Sequence, residues 1–316
     1  MEAAPLVATA EASLPEDVRG YWYEGAGGAR LRAAIAPSSG PARGSVILSP
    51  GRTEFIEKYV EVIGELQARG LFVLVHDWRG QGLSQRLLED RHKGHAEGVG
   101  DFLHDFRRLL DGAEAELPRP WIMLGHSMGA TFNALSLMAG ERRFKAALFS
   151  APMIGVAAAR SLPGPTARLI ARAMARAGRG AEYVARTGFD PMLIPFEHNI
   201  LTHDEGRYER WRGQLRTCPD LALGGPTWGW LAMALECGDV LARPAAARAA
   251  DLPLTVVTAG EEKLVVSAPA RRYAERAPQG RHVEIAGALH EVLMETDARR
   301  ALVWREFDAL MERAGI

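Results

Sequence analysis

Trp121-Ile122-Met123-Leu124-Gly125-His126-Ser127-Met128-Gly129-Ala130-Thr131-Phe132-Asn133-Ala134-Leu135 reads as an apolar strand, a tight turn and a helix. In a Gly-x-Ser-x-Gly turn the serine occupies a strained backbone position, and only glycines on either side let the strand and helix approach closely enough. Gly125 and Gly129 meet that demand and leave the Ser127 hydroxyl pointing outward. Ser127 is therefore the candidate nucleophile. The pentapeptide alone is common; the strand before it and the helix after it give it meaning.

A serine hydroxyl attacks poorly at neutral pH unless a base lies within hydrogen-bond reach and a third group holds that base. On an elbow of this kind the chain order is Ser, acid, His. Leu254-Thr255-Val256-Val257-Thr258-Ala259 reads as a buried strand ended by Gly260, and two carboxylates follow, Glu261 and Glu262. Arg281 to Ile285 reads as the next strand. Ala286-Gly287-Ala288-Leu289 then leads to His290, ahead of a helical segment from Glu291 to Ala314. His290 is the candidate base, with Glu261 or Glu262 to orient it. His126 adjoins the nucleophile, but consecutive residues of a sharp turn diverge, which assigns it to local packing. His92 and His95 flank Lys93-Gly94 without further ligands at metal-binding spacing. His76, His104, His198, His203 and His282 have no partner motif, and no metal is implied.

A tetrahedral intermediate needs two backbone donors facing its oxyanion. One is the amide of the residue after the nucleophile, Met128. The other comes from the loop after the strand Val46 to Ser49, where Pro50-Gly51-Arg52-Thr53-Glu54 puts the Arg52 amide in place and Gly51 permits the turn. The Arg52 side chain is expected in a surface salt bridge with Glu54 or Glu57.

With 316 residues, 47% of them apolar, the chain can bury one large core and carry an insertion. Its net charge of −1 argues against a nucleic-acid partner. Cys218 and Cys237 are too few for a disulfide framework, which points to a reduced, cytoplasmic compartment. Leu6-Val7-Ala8 lacks a basic lead and sits between Glu2 and Glu11, so residues 1–20 read as a disordered tail rather than an export signal. No stretch approaches the ~18 apolar residues of a membrane span.

From Leu31 to Ser150 strand and helix patterns alternate, the rhythm of an α/β protein with a mostly parallel sheet flanked by helices. The rhythm breaks after Ser150-Ala151-Pro152. Residues 153–238 read as an inserted helical cap, with 21–152 and 239–316 as the core. Inside the cap, Pro165 to Ala177 is helical by pattern, with Arg168, Arg172, Arg176 and Arg179 on one arc and Leu169, Ile170, Ala173, Met174 and Ala177 assigned to the other face. Leu169, Ile170 and Met174 are expected to line or support an acyl site. The basic face suits solvent or a transient contact with an anionic membrane surface.

Gly51-Arg52-Thr53-Glu54, Glu57-Lys58-Tyr59, Asp77-Trp78-Arg79-Gly80-Gln81-Gly82, the Ser127 pentapeptide, Asn199-Ile200-Leu201-Thr202-His203-Asp204 with Arg207-Tyr208, and His290-Glu291 together resemble the lysophospholipase L2 and monoacylglycerol lipase branch of the α/β-hydrolases, with its serine aminopeptidase S33-like domain. The likeness runs from about Tyr21 to the C-terminus. It implies an α/β-hydrolase fold with an inserted helical cap. The implied activity is a serine esterase that cleaves a single-chain lipid ester, a lysophospholipid or monoacylglycerol, through an acyl-enzyme on Ser127 and without a cofactor. It places the acid two residues after the strand-end glycine, at Glu262, where relatives carry Asp. The extra methylene of Glu sets that loop further from His290, and Glu261 stays a competitor. Where many relatives have His-Gly this chain has Pro50-Gly51, which leaves the backbone donor untouched. Two other readings use the same residues: a small-ester, thioester or peptide hydrolase, because cap residues set scope, and a non-catalytic binding protein of the same fold. The complete set of serine, carboxylate and histidine speaks against the latter.

Overall fold

The computed structural model describes residues 2–9, 12–15, 17–156, 164–184, 192 and 194–316, so residues 157–163, 185–191 and 193 of the expected cap lie outside it. The strands are β1 (Glu2–Ala3), β2 (Arg19–Glu24), β3 (Arg30–Ala36), β4 (Gly44–Ser49), β5 (Leu71–His76), β6 (Trp121–His126), β7 (Phe144–Ser150), β8 (Leu254–Ala259) and β9 (Gly280–Ile285). They form one 9-stranded sheet in the order β1-β2-β3-β5-β4-β6-β7-β8-β9. From β5 to β9 neighbouring strands are parallel, whereas β1, β2 and β3 run antiparallel along one edge.

The helices are α1 (Val60–Ala68), α2 (Gly100–Ala113), α3 (Met128–Met138), α4 (Gly164–Met174), α5 (Glu205–Thr217), α6 (Trp228–Leu241), α7 (Pro244–Arg248), α8 (Ser267–Arg276) and α9 (Asp297–Ala314). The central strands are apolar almost throughout because helices cover both faces of the sheet. Alternate residues divide between two cores. Ile47 and Met123 join Phe106, Phe132 and Tyr273 on one side. Val46, Leu48 and Leu124 join Ile63, Leu66, Trp304 and Phe307 on the other. In open sheets of this kind ligands meet the protein at the carboxyl ends of the strands. The ends of β4, β6, β8 and β9 carry the loops of the candidate site.

Two expectations need correction. The described part of the segment 1–20 is ordered: β1 pairs with β2, Leu6 packs against the core, and the Val7 amide donates to Glu57 at 3.0 Å. A strand of two residues has no periodicity to read, and its partner β2 is interrupted by Gly20. The second concerns the cap helix. Leu169 is 70% exposed, while Ala167 and Ala171 are buried and Ala171 packs with Leu231 and Leu235 of α6. At about 100° per residue Leu169 lies only about 20° from Arg176, so the basic arc and Leu169 face outward together. Ile170 and Met174 are half-buried on the other side.

Candidate active site

β6 delivers Ser127 into a backbone conformation with φ 50° and ψ −113°, and α3 begins at the next residue. Both flanking glycines are required by contact. A methyl group at Gly125 would lie 2.7 Å from Ala130 Cα, and one at Gly129 would collide with the Ser49 carbonyl oxygen. The strained serine is held by its neighbours: its amide donates to Ser150 O at 2.8 Å, and its carbonyl accepts from the amides of Thr131 at 3.1 Å and Met153 at 3.2 Å.

His290 Nε2 lies 3.0 Å from Ser127 Oγ, and His290 Nδ1 lies 2.8 Å from Glu262 Oε2. The other oxygen of Glu262 accepts from the amides of Leu264 at 2.8 Å and Val265 at 3.2 Å. Burial pushes the Glu262 pKa up, but the hydrogen bonds from His290 and these amides outweigh it and leave the carboxyl below its ordinary value. Glu261 is turned elsewhere, exposed and 3.7 Å from His203 Nε2. The His126 ring lies tilted beside His290 at 4.9 Å between ring centres, and its Nδ1 meets Ser150 Oγ at 3.1 Å. Burial lowers its pKa to about 4, so it sits beside the base as a neutral ring.

Met128 opens α3, where a helix leaves its first amides unpaired and its dipole favours negative charge. Across from it, the Pro50 carbonyl crowds the position a Gly129 side chain would take, so the loop carrying Arg52 abuts the elbow. Within that loop the Gly51 amide donates to Glu54 and the Thr53 amide to Gln81 Oε1 at 3.2 Å. The Arg52 amide between them donates to no partner among the described residues. The motif around Asp77 serves this loop: Trp78 Nε1 donates to Pro50 O at 2.8 Å and Gln81 Nε2 to Gly51 O at 2.9 Å.

Sequence reasoning missed the buried charges behind the site. Lys58 Nζ contacts Glu54 at 3.0 Å and Glu291 at 2.5 Å, and Tyr59 OH donates to Glu54 at 2.6 Å. The network therefore joins the Arg52 loop to the residue after His290. Burial raises both carboxyl pKa values; for Glu54 the partners Lys58, His126, Tyr59 and the Gly51 amide prevail and bring it to about 2, whereas Glu291 stays raised. The segment inserted between β7 and β8 reaches the same loop. Leu201 O accepts from the Glu291 amide at 2.9 Å, and His203 Nδ1 lies 2.7 Å from Glu295, which in turn accepts from the Leu289 amide at 2.8 Å. The Arg52 side chain departs from expectation: Glu54 is taken by Lys58 and Glu57 by Arg32, and Arg52 instead donates to Gly224 O at 2.5 Å.

The chain matches the serine aminopeptidase S33 family over residues 40–297, a span that includes the elbow, both carboxylates and His290. The chain belongs to this family. It is a serine-type hydrolase with an α/β-hydrolase fold. It is 34% identical over 270 residues to lysophospholipase L2 of Escherichia coli K12, covering 81% of this chain and 77% of that protein. To the probable lysophospholipase L2 of Haemophilus influenzae it is 30% identical over 268 residues, covering 84% and 82%. A soluble variant of the Saccharomyces cerevisiae monoglyceride lipase, solved with a substrate analog, superposes with a TM-score of 0.74 at 18% identity over 98% of this chain and 99% of that one. A thermostable carboxyl esterase of Bacillus coagulans gives 0.73 at 14% identity over 96% and 99%. These two likenesses concern the fold.

The cavity beside Met128, lined also by Gln81, Gly94, Leu223 and Trp230, measures about 10 Å³, room for roughly one water. Leu169, Ile170 and Met174 do not line it. Larger grooves lie away from the chemistry; one of about 750 Å³ runs between α2 and the end of α3, past Arg107, Asp111 and Arg142. Among the described residues no group of His, Cys, Asp and Glu could hold a metal, and no helix is long and apolar enough to cross a membrane.

Proposed function

We propose that the protein hydrolyses carboxylic esters of single-chain lipids, lysophospholipids or monoacylglycerols, through an acyl-enzyme on Ser127. The observation that carries this reading is the unbroken hydrogen-bonded line from Ser127 Oγ through His290 to Glu262, in a chain 34% identical to a lysophospholipase. Ser127 attacks the ester carbonyl as His290 Nε2 takes its proton, and Glu262 stabilises the imidazolium that forms. The amides of Met128 and Arg52 receive the oxyanion, assisted by the start of α3. His290 then protonates the departing alcohol, and water, deprotonated by the same ring, releases the acid. No cofactor enters this sequence.

A second reading, hydrolysis of small esters, uses the same serine, histidine and carboxylate. A chain-length series separates them. Each buried methylene contributes about 0.8 kcal/mol, so a few carbons raise kcat/KM by tens of fold in an apolar site. Equal kcat/KM for acetyl and long-chain esters would remove the lipid reading and leave the hydrolase intact. For access to lipid, we place a transient membrane contact on the outer face of α4, where exposed Leu169 stands beside Arg172 and Arg176.

A further inference from the structure

One cation, on the residue whose amide we assign to the oxyanion, has no use in ester chemistry. Arg52 Nε is buried without a hydrogen-bond partner among the described residues, and its guanidinium carbon sits 5.0 Å from the centre of the Trp230 ring. Burial lowers its pKa to about 10, against a smaller opposing effect of Tyr183. Arg52 as a whole is half-buried, and with no carboxylate in salt-bridge reach among the described residues its guanidinium is a cation that an incoming anion can pair. The guanidinium is seated against glycine backbone. A side chain at Gly94 would collide with the Arg52 Nη2, and on the other flank the backbone of Gly224 is the contact. Gly94 thus leaves the space that the guanidinium itself fills. Nearby, Lys93 Nζ lies 5.4 Å from the centre of the Tyr183 ring and adds a second positive charge to this border between core and cap.

We propose that the Arg52 side chain recognises the phosphate of a lysophospholipid headgroup while the amide of the same residue faces the ester oxyanion. This rests on the single-chain lipid reading above and chooses between its two substrate classes. A guanidinium presents paired N–H donors in a plane that suits two phosphate oxygens. The spacing agrees as well. Counted bond by bond, the path from the Arg52 amide nitrogen along the side chain to the guanidinium carbon equals the path from an acyl carbonyl carbon through the glycerol to phosphorus. A monoacylglycerol ends in a hydroxyl there and leaves the guanidinium without its anion.

The test is the ratio of kcat/KM on a lysophospholipid to kcat/KM on the monoacylglycerol with the same acyl chain, in wild type, R52Q and R52K. Gln keeps an N–H for the Gly224 carbonyl without charge, and Lys keeps the charge without the planar donors. Because the readout is a ratio, any loss through the oxyanion loop cancels. A charged hydrogen bond of this kind supports a fall on the order of tenfold to a hundredfold in R52Q, with partial recovery in R52K. An unchanged ratio overturns the proposal and leaves Arg52 as a brace between loop and cap. A second arm needs no lipid turnover: inhibition of p-nitrophenyl butyrate hydrolysis by sn-glycerol 3-phosphate and by inorganic phosphate. Glycerol phosphate is expected to inhibit wild type more strongly than R52Q and more strongly than phosphate alone. Equal inhibition of wild type and R52Q overturns the site, and phosphate matching glycerol phosphate overturns the headgroup assignment. If long-chain esters are not cleaved while glycerol phosphate still distinguishes wild type from R52Q, the lipid reading fails and the anion site stands.

Discussion

Replacing Glu262 with Gln tests the geometry around His290 with almost no change of shape. One carboxylate oxygen accepts two backbone amides, Leu264 at 2.8 Å and Val265 at 3.2 Å, and the other meets His290 Nδ1 at 2.8 Å. In Gln the two amides demand the carbonyl oxygen, so the NH2 group must turn toward His290. It then donates to Nδ1 and fixes the imidazole with its proton on Nε2, the form that cannot accept the Ser127 proton. A wrong tautomer in an otherwise intact triad lowers kcat by about 10⁴-fold; E262Q is expected to lose on the order of 10³- to 10⁴-fold. E261Q alters an exposed carboxylate 3.7 Å from His203, and its effect should stay within about threefold. E262D should fall between, since its shorter reach sacrifices either the amides or His290. The assay is kcat on p-nitrophenyl butyrate, with circular dichroism to show that each variant is folded. A folded E262Q within tenfold of wild type, or an E261Q more damaged than E262Q, refutes the assignment.

Glu54 holds the Gly51 amide, Tyr59 and Lys58, so E54Q is expected to loosen the Arg52 loop and lower kcat by roughly ten- to a hundredfold with a smaller change in KM; a change confined to KM would show that the loop does not depend on it. Burial lowers the pKa of His76 to about 3 and of His126 to about 4, against an unfolded value near 6.5. Between those values the unfolded chain binds more protons than the folded one, so stability is full above pH 6.5 and declines as pH falls toward 4. Thermal melts from pH 7.5 to 4.5 should show Tm dropping, and a flat Tm across that range would contradict buried neutral histidines. L169D, at a position 70% exposed, should change unfolding stability by less than about 1 kcal/mol and leave turnover of a short soluble ester unaltered while weakening binding to anionic vesicles; a clear loss of stability would mean that Leu169 is packed.

The elbow was legible in the sequence because its constraints are local. Gly125 follows from the close approach of β6 to α3 and Gly129 from that of α3 to the end of β4, and the order of the two later strands points to His290. What sequence did not reveal depends on groups distant along the chain. Glu54 and Glu57 stand near Arg52 in sequence, yet Glu57 is claimed by Arg32 of β3, with a salt bridge of 2.7 Å. A signal was present: Arg32 interrupts the apolar run of β3 and therefore demands buried partners, and Asp77 at 2.7 Å supplies the other. The tie between Lys58 and Glu291 joins residues 233 apart, and no spacing rule reaches that far. Leu169 shows the opposite failure, since its angle on the helix already placed it beside Arg176 rather than with Ile170 and Met174.

The most direct test of the central claim is the mass of the protein after treatment with a fluorophosphonate. A hydroxyl activated by His290 at 3.0 Å attacks the probe phosphorus and displaces fluoride. The account predicts a single adduct on the peptide containing Ser127 in wild type, and none in S127A of unchanged Tm with kcat lowered on the order of 10⁴-fold or more. An adduct on any other residue, or a folded S127A that still turns over ester near the wild-type rate, would contradict it.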